Sequence, residues 1–192
     1  AVFLASAYYA ETRCAARLFG LARAQEPNRV RNLESLLKKQ KKAFSLTDEQ
    51  QSAVRAAVEN RICIITGGPG TGKTTILKAV LNILGGMGLT CSLAAPTGRA
   101  AKRMQEATGT QAATLHRLLE YSYDEDEYNC YFRRNEENPL DADAVIVDEV
   151  SMLDVYLFHN LLKALPEEAR LILVGDADQL PSVGPGNVMG DI

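Results

Sequence analysis

The hydrophobic positions along the chain alternate between short continuous apolar runs and longer stretches with an apolar residue every three or four positions. The short runs are rich in β-branched residues and predict buried strands over 62–65, 90–95, 144–147 and 171–174. The longer stretches predict amphipathic helices over 73–84, 98–107, 114–121 and 153–165. Because strands and helices alternate, the sequence predicts an α/β fold with a parallel sheet that is flanked by helices.

Two regions fall outside this alternation. Residues 1–44 are helical in character and predict an N-terminal helical region, followed by a single α/β domain over 45–192. Residues 121–143 are acidic, rich in asparagine and aromatic, and predict a surface insertion for which a β-hairpin is one interpretation. The basic run 38–42 is interpreted as a solvated helix end, with nucleic-acid contact as the alternative.

Composition limits the classes of partner. The chain has 192 residues, of which 46% are hydrophobic, and a net charge of −3, so no overall positive field indicates a polyanion partner. The four cysteines form no C-x-x-C pair and are interpreted as buried thiols in a reducing compartment, which favours a cytoplasmic location. The apolar start at 1–10 lacks a basic flank and is too short to cross a bilayer, so no membrane partner is expected.

A glycine-rich stretch follows the first predicted strand and opens the next predicted helix. Residues 67–74 match the phosphate-binding pattern G-x-x-x-x-G-K-[ST] in full. Glycines let the backbone approach an anion closely, and the free N–H groups at a helix start favour negative charge. We therefore predict ATP as cofactor, with the Lys73 ammonium on its β- and γ-phosphates. The residues expected to bind the nucleotide are Gly68, Pro69, Gly70, Thr71, Gly72, Lys73, Thr74 and Thr75.

Two carboxylates end the third predicted strand. Asp148 and Glu149 directly follow the apolar run 144–147. Since Mg²⁺ is bound by one or two protein oxygens together with phosphates, we expect Asp148 and the Thr74 hydroxyl to hold it. Glu149 is expected to orient and polarise the attacking water. Lys73, Asp148 and Glu149 are thus candidate catalytic residues for nucleoside triphosphate hydrolysis.

Further stretches resemble motifs of superfamily 1 helicases and occur in the same order. Residues 175–184 match the pattern G-D-x-x-Q-L-P-x-V of that superfamily, and 148–154 resemble its motif II. Residues 46–50 resemble its Q motif, and 95–101 with 114–119 resemble motifs Ia and Ib of the RecD-like branch. Over roughly its whole length the chain resembles the first RecA-like domain of a RecD-like DNA helicase, with the helical region that precedes it.

This resemblance implies further roles. Gln50, which also completes a capping-box pattern with Thr47, would read the adenine edge. Gln179 would sense the γ-phosphate and couple it to DNA, which makes it a fourth candidate catalytic residue. The residues that would line the path of single-stranded DNA are Pro96, Thr97, Arg99, Thr114 and His116.

The resemblance also implies what the parent protein does and with what. It implies ATP-driven translocation on single-stranded DNA, in the 5′→3′ direction, with duplex unwinding aided by the 121–134 segment. The implied partners are single-stranded DNA, a second RecA-like domain of the same parent chain and the subunits of a nuclease complex.

Three alternatives stay open at this point. The chain could be the helicase half of a conjugative relaxase, a module in which nucleotide only gates nucleic-acid binding, or a phosphate-loop NTPase that acts on RNA or protein. The chain lacks an initiator Met and ends in a glycine-rich stretch, so we expect a piece of a longer protein whose RecA-like domain is incomplete at its C-terminus. We expect these 192 residues alone to bind nucleotide but to hydrolyse it poorly.

Overall fold

The structure is a computed structural model that describes residues 4–23, 30, 32–124 and 129–192. The strands of its main sheet are β1 (Ile62–Thr66), β2 (Cys91–Ala95), β3 (Ala112–Thr114), β6 (Ala144–Val147) and β7 (Arg170–Gly175). A separate pair is formed by β4 (Tyr121–Asp124) and β5 (Asn129–Phe132). The helices are α1 (Ala5–Arg23), α2 (Leu33–Phe44), α3 (Asp48–Glu59), α4 (Lys73–Gly86), α5 (Gly98–Thr108), α6 (Leu115–Leu118), α7 (Val155–Ala164) and α8 (Val188–Asp191).

The main sheet has five strands in the order β1-β7-β6-β2-β3, and every adjacent pair is parallel. Helices cover both of its faces, and the two central strands are buried along their entire length. This burial explains why their sequences are continuous apolar runs and not alternating ones. The predicted α/β fold with a parallel sheet is confirmed.

The two faces of the sheet bury two separate hydrophobic clusters, because successive side chains of a strand point to opposite faces. Val145 and Val147 belong to the cluster that α1, α6 and α7 cover. Their neighbours Ala144 and Ile146 belong to the cluster under α2, α3, α4 and α5. The N-terminal helices α1 and α2 therefore pack on opposite faces of the same sheet.

The edge strand β3 and the helix that follows it differ from the sequence-based prediction. The three-residue edge strand β3 was not predicted, because the sequence Ala-Ala-Thr carries no apolar run. The helix predicted over 114–121 is only Leu115–Leu118, since Thr114 caps its start and Glu120 adopts a left-handed backbone with φ 54°. Residues 112–114 therefore form a strand because they pair with β2, although their local sequence pattern predicts a loop.

Within the predicted insertion 121–143, β4 and β5 form a separate two-stranded antiparallel unit, whereas Leu140 and Ala142 are buried in the core of the main sheet. Tyr121 pairs with Phe132 at the base of the unit, while residues 125–128 lie outside the described part of the chain. Arg134 stabilises this end of the two-stranded unit. Its guanidinium contacts the Glu120 carboxylate at 2.8 Å and donates to the Pro139 carbonyl at 3.0 Å.

The cysteines divide between the core and the surface. Burial raises the pKa of the Cys14 thiol to about 12 and that of Cys63 to about 11, so both are unreactive. The prediction of a buried thiol is wrong for Cys130, which is exposed on β5 of the two-stranded unit, and Cys91 is half-buried. Within the described ranges, none of the helices combines the length and apolar character needed to cross a membrane.

Candidate nucleotide and nucleic-acid site

The loop between β1 and α4 is closed by its own hydrogen bonds. The Thr71 hydroxyl donates to the Gly68 carbonyl at 2.9 Å, and a Cβ at Gly67 would lie 2.8 Å from that hydroxyl. Gly72 has φ 86°, and a Cβ there would overlap the side-chain nitrogen of Gln50. A side chain at position 67 is thus disfavoured by close approach to Thr71, whereas at position 72 both close approach and the positive φ favour glycine.

Lys73 begins α4 and folds back over this loop. Its ammonium donates to the Gly67 carbonyl and, at 3.0 Å, to the Gly68 carbonyl. The side chain is partly buried, while Thr74 beside it is exposed at the start of the helix. A positive charge, a helix N-terminus and an exposed hydroxyl therefore face the same space, which suits a phosphate group.

Asp148 and Glu149 lie at the end of β6, next to this loop. Desolvation raises the pKa of Asp148, partly opposed by the hydrogen bond from the Glu149 N–H and by the Lys73 charge. That N–H reaches the Asp148 carboxylate at 2.9 Å. Lys73 and Asp148, which lie far apart in sequence, are thus close enough to interact electrostatically.

Glu149 has an unusual backbone conformation. Its φ is 56°, in the left-handed region that residues other than glycine seldom adopt. Such strain costs about 1–3 kcal/mol and is found mainly at functional sites, where the surrounding structure holds it. Here the 3₁₀ turn Val150–Met152 follows immediately and is packed on β7 and α8, which restricts the backbone next to Glu149.

These groups fit a magnesium–nucleotide complex. Among the described residues no cluster of three or more carboxylate, histidine or cysteine side chains is present that would hold a metal by itself. One carboxylate with a nearby hydroxyl is what Mg²⁺ needs when the nucleotide supplies further oxygens. Asp148 and Thr74 are the residues that would hold it.

Gln50 combines a structural role with contact to the phosphate loop. Its backbone N–H and side-chain oxygen form both bonds of the predicted capping box with Thr47, at 3.2 and 3.1 Å. Its side-chain nitrogen donates to the Thr71 carbonyl at 3.0 Å. Gln50 therefore lies against the loop, and its role toward adenine stays a prediction.

The five residues expected to contact DNA meet at the carboxyl edge of β2 and β3. Ala95 pairs with Thr114, which places the Pro96–Thr97 turn beside the start of α6. Thr97 and Thr114 cap their helices in the same way, each accepting a backbone N–H three residues on at 3.2 Å. Arg99 is exposed on the first turn of α5.

His116 lies at the junction with the two-stranded unit. Its exposed ring makes an edge contact with Tyr121, with ring centroids 5.4 Å apart, and lies 5.9 Å from Phe132. His116 therefore contacts the aromatic residues at the start of the two-stranded unit, and its expected place beside the DNA path stays a prediction.

Gln179 lies in the turn after β7, where its backbone N–H donates to the Asp176 carbonyl at 3.2 Å. Its side-chain oxygen accepts a hydrogen bond from Ser151 at 3.1 Å. The structure thus brings all the predicted nucleotide and DNA residues to one edge of the sheet. Sequence reasoning missed Ser151, and no local signal pairs it with a residue 28 positions away.

Comparisons with known proteins identify the family of the chain. The model of the AAA domain family matches residues 50–185. The ATP-dependent RecD2 DNA helicase of Deinococcus radiodurans is 47% identical over 141 residues, covering 73% of this chain and 19% of that protein. The RecBCD enzyme subunit RecD of Haemophilus influenzae is 40% identical over 170 residues, covering 76% of this chain and 26% of that protein. The chain thus spans about a fifth to a quarter of the length of these curated relatives.

One solved structure adds a likeness of fold. S. cerevisiae dbp5, solved with nup159, gle1, ip6 and adp, is similar with a TM-score of 0.50 and 13% identity. The match covers 81% of this chain and 48% of that chain. It shows the fold alone.

Proposed function

Because this chain belongs to the AAA domain family, in its RecD-like helicase branch, we propose that it is the ATP-hydrolysing motor domain of a DNA helicase. One observation carries the proposal. A single edge of the parallel sheet holds the phosphate loop, the Asp148–Glu149 pair, Gln179 and the two capped helix starts at Thr97 and Thr114. The proposed nucleotide site and the proposed nucleic-acid site therefore lie at the same edge of the sheet, as a motor requires.

Each residue of the nucleotide side has a distinct task in this proposal. Glycine-rich loop N–H groups and the Lys73 ammonium bind the phosphates. Mg²⁺, when bound, would supply positive charge to the phosphate oxygens. Glu149, at the end of β6 beside Asp148, orients the attacking water and accepts its proton. Gln179 contacts the γ-phosphate and transmits its presence to the DNA side.

The DNA side is proposed to bind the phosphate backbone of a single strand. Helix N-termini offer N–H groups to phosphates, and the starts of α5 and α6 are adjacent through the Ala95–Thr114 pairing. Arg99 adds charge, and the exposed ring of His116 offers a surface on which a base can stack. The translocation direction, 5′→3′, is proposed from the RecD-like relationship alone.

The parent protein is proposed to need more than these residues. In nucleoside triphosphatases, arginines that reach the transferred phosphate contribute about 10³–10⁵ in rate. We propose that a second RecA-like domain of the parent chain supplies such arginines and closes over the ATP. Residues 1–192 alone should then bind nucleotide with slow turnover. Subunits of a nuclease complex are a further proposed partner, since one relative is named as a RecBCD subunit.

ATP hydrolysis by the full-length protein, with and without single-stranded DNA, tests the proposal. A strong increase on adding DNA is expected, followed by unwinding of a tailed duplex. ATP turnover that does not change when DNA is added would favour an NTPase with another substrate. DNA binding that depends on nucleotide, in a protein that does not hydrolyse ATP, would favour a gated binding module.

Arg99→Ala should weaken single-stranded DNA binding for all sequences alike. Loss of one phosphate contact should reduce the slope of log affinity against log salt by roughly 0.7 for a single strand. Fluorescence anisotropy over a salt series measures this slope. Lys42→Ala, in the exposed basic run of α2, is the charge-matched control and should leave the slope unchanged. An equal change in both variants would contradict a specific role for Arg99.

Replacing the aromatic residues of the two-stranded unit should separate unwinding from ATP turnover. Tyr131→Ala together with Phe132→Ala should lower duplex unwinding and leave DNA-stimulated hydrolysis intact, because bases stack on such rings while the ATP site is untouched. Tyr131 is exposed and Phe132 lies against His116, so the single variants distinguish a stacking surface from support of His116. Normal unwinding by the double variant would exclude this unit from strand separation.

A further inference from the structure

A buried hydroxyl lies in the 3₁₀ turn that directly follows Glu149. Ser151 is only 5% exposed, and a buried hydroxyl needs a hydrogen-bond partner. Serine hydroxyls in helical turns commonly return to a nearby backbone carbonyl. Ser151 donates instead to the side-chain oxygen of Gln179 at 3.1 Å. This bond joins the segment after β6 to the segment after β7.

Ser151 is the fixed member of this pair. A Cβ at Gly175, the last residue of β7, would lie 3.4 Å from the Ser151 nitrogen and 3.2 Å from the Met189 sulfur. Val188 and Met189 are the buried residues of α8 itself. The turn is thus enclosed between β7 and α8, and the position of the Ser151 hydroxyl follows from this packing.

Gln179 is the exposed and adjustable member. It lies in an exposed turn, and among the described residues Ser151 is the hydrogen-bond partner of its carboxamide. The Gln179 carboxamide is planar, and its oxygen and NH₂ group lie on opposite sides of the terminal carbon. When Ser151 binds the oxygen, the NH₂ group therefore points away from Ser151. A phosphate oxygen only accepts hydrogen bonds, and therefore it is recognised by the NH₂ group and repelled by the carboxamide oxygen. A serine hydroxyl can donate or accept a hydrogen bond, so the orientation of the carboxamide follows from the direction of this bond. Here Ser151 donates to the Gln179 oxygen, and the NH₂ group therefore points away from Ser151, as contact with a phosphate requires.

We propose that Ser151 is a positioning residue that orients Gln179 for contact with the γ-phosphate and ties this contact to the segment that carries Glu149. The inference rests on the proposed function, through the role given to Gln179. A purely structural Ser151, which merely satisfies its own hydroxyl, would act on folding stability and not through Gln179.

A double-mutant cycle in the full-length protein tests the proposal. Ser151→Ala, Gln179→Ala and the double variant are compared for DNA-stimulated ATP hydrolysis and for single-stranded DNA affinity with and without a non-hydrolysable ATP analogue. Ser151→Ala should lower stimulated kcat by about 3- to 10-fold, the range expected for one hydrogen bond, and reduce the effect of the analogue on DNA affinity. The double variant should be no worse than Gln179→Ala alone.

Two further variants keep the result interpretable. Ser151→Cys keeps the shape of the side chain, with a larger atom and a weaker donor, and should lower hydrolysis in the same direction if Ser151→Ala fails to fold. Gln179→Glu retains an acceptor for Ser151 but has no NH₂ group, so its thermal unfolding should match wild type while its hydrolysis falls.

The outcomes separate the inference from the proposed function. If the losses of the two single variants simply add in the double variant, the positioning role is overturned and the motor function stands. The same conclusion follows if both Ser151 variants have normal kinetics while Gln179→Ala is defective. Normal kinetics in Gln179→Ala overturn the positioning role together with the sensing role of Gln179. A wild-type protein that DNA does not stimulate overturns the motor function before any variant is measured, and the inference with it.

Discussion

Glu149→Gln should lower DNA-stimulated ATP hydrolysis by about 10²–10⁴-fold, the range that general acid–base catalysis contributes. The amide keeps the shape of the side chain and the left-handed backbone at φ 56°, but it cannot accept a proton from water. Nucleotide binding should survive, because the phosphate loop and Asp148 are unchanged. Steady-state hydrolysis and equilibrium binding of a fluorescent ATP analogue measure the two effects separately.

The control for this change is Glu167→Gln, which alters an exposed carboxylate in the turn after α7, at the opposite edge of the sheet. It should hydrolyse ATP at the wild-type rate. If Glu149→Gln also retained wild-type turnover, the water-activating base would have to be another residue, and the proposed division between Asp148 and Glu149 would be wrong.

Lys73→Ala should abolish most hydrolysis and also weaken nucleotide binding, in contrast to Glu149→Gln. Loss of a preorganised donor on charge that develops in the transition state costs about 10²–10³-fold in rate. The variant also removes a positive charge that lowers the pKa of Asp148, so that pKa should rise further. The same missing charge alters the electrostatic environment of this proposed Mg²⁺ ligand, so the magnesium dependence of the residual hydrolysis should differ from that of wild type.

Lys78→Ala provides a matched control on the same helix. Lys78 lines a cavity of roughly 630 Å³ with Phe44 and Leu81, away from the phosphate loop. Its loss should leave the hydrolysis rate and the magnesium dependence at wild-type values. Hydrolysis that persists in Lys73→Ala would show that the loop binds something other than the reacting phosphate.

The Lys73 and Glu149 variants differ in their expected effect on DNA affinity. With Glu149→Gln, ATP should remain bound and hold the DNA-binding state, so that ATP and the analogue give the same affinity for single-stranded DNA. With Lys73→Ala, nucleotide should have little effect on that affinity. Anisotropy titrations of one labelled strand in the presence and absence of ATP distinguish the two.

Much of the fold followed from local sequence pattern. The four apolar runs became strands of one parallel sheet, and the glycine-rich loop and the carboxylate pair followed β1 and β6 as predicted. Such features depend on side-chain periodicity and turn chemistry within a few residues, which a sequence displays directly. The capping box of Thr47 and Gln50 is of the same kind.

Other features arose only in the folded molecule. The edge strand β3 exists because β2 offers it a partner, and that pairing places Thr114 beside the Pro96–Thr97 turn. The left-handed backbone of Glu149 is held by packing of the turn that follows it. The contact between Ser151 and Gln179 joins residues 28 positions apart.

The sequence by itself thus determined which chemical groups this protein possesses and at which strand ends they occur. The tertiary structure decided which of those groups touch and how each is oriented. The physical reason is the range of the interactions. Strand and helix patterns reflect hydrophobic burial and backbone preference over a few neighbouring residues, whereas orientation depends on contacts between distant segments that only the packed sheet and helices bring together.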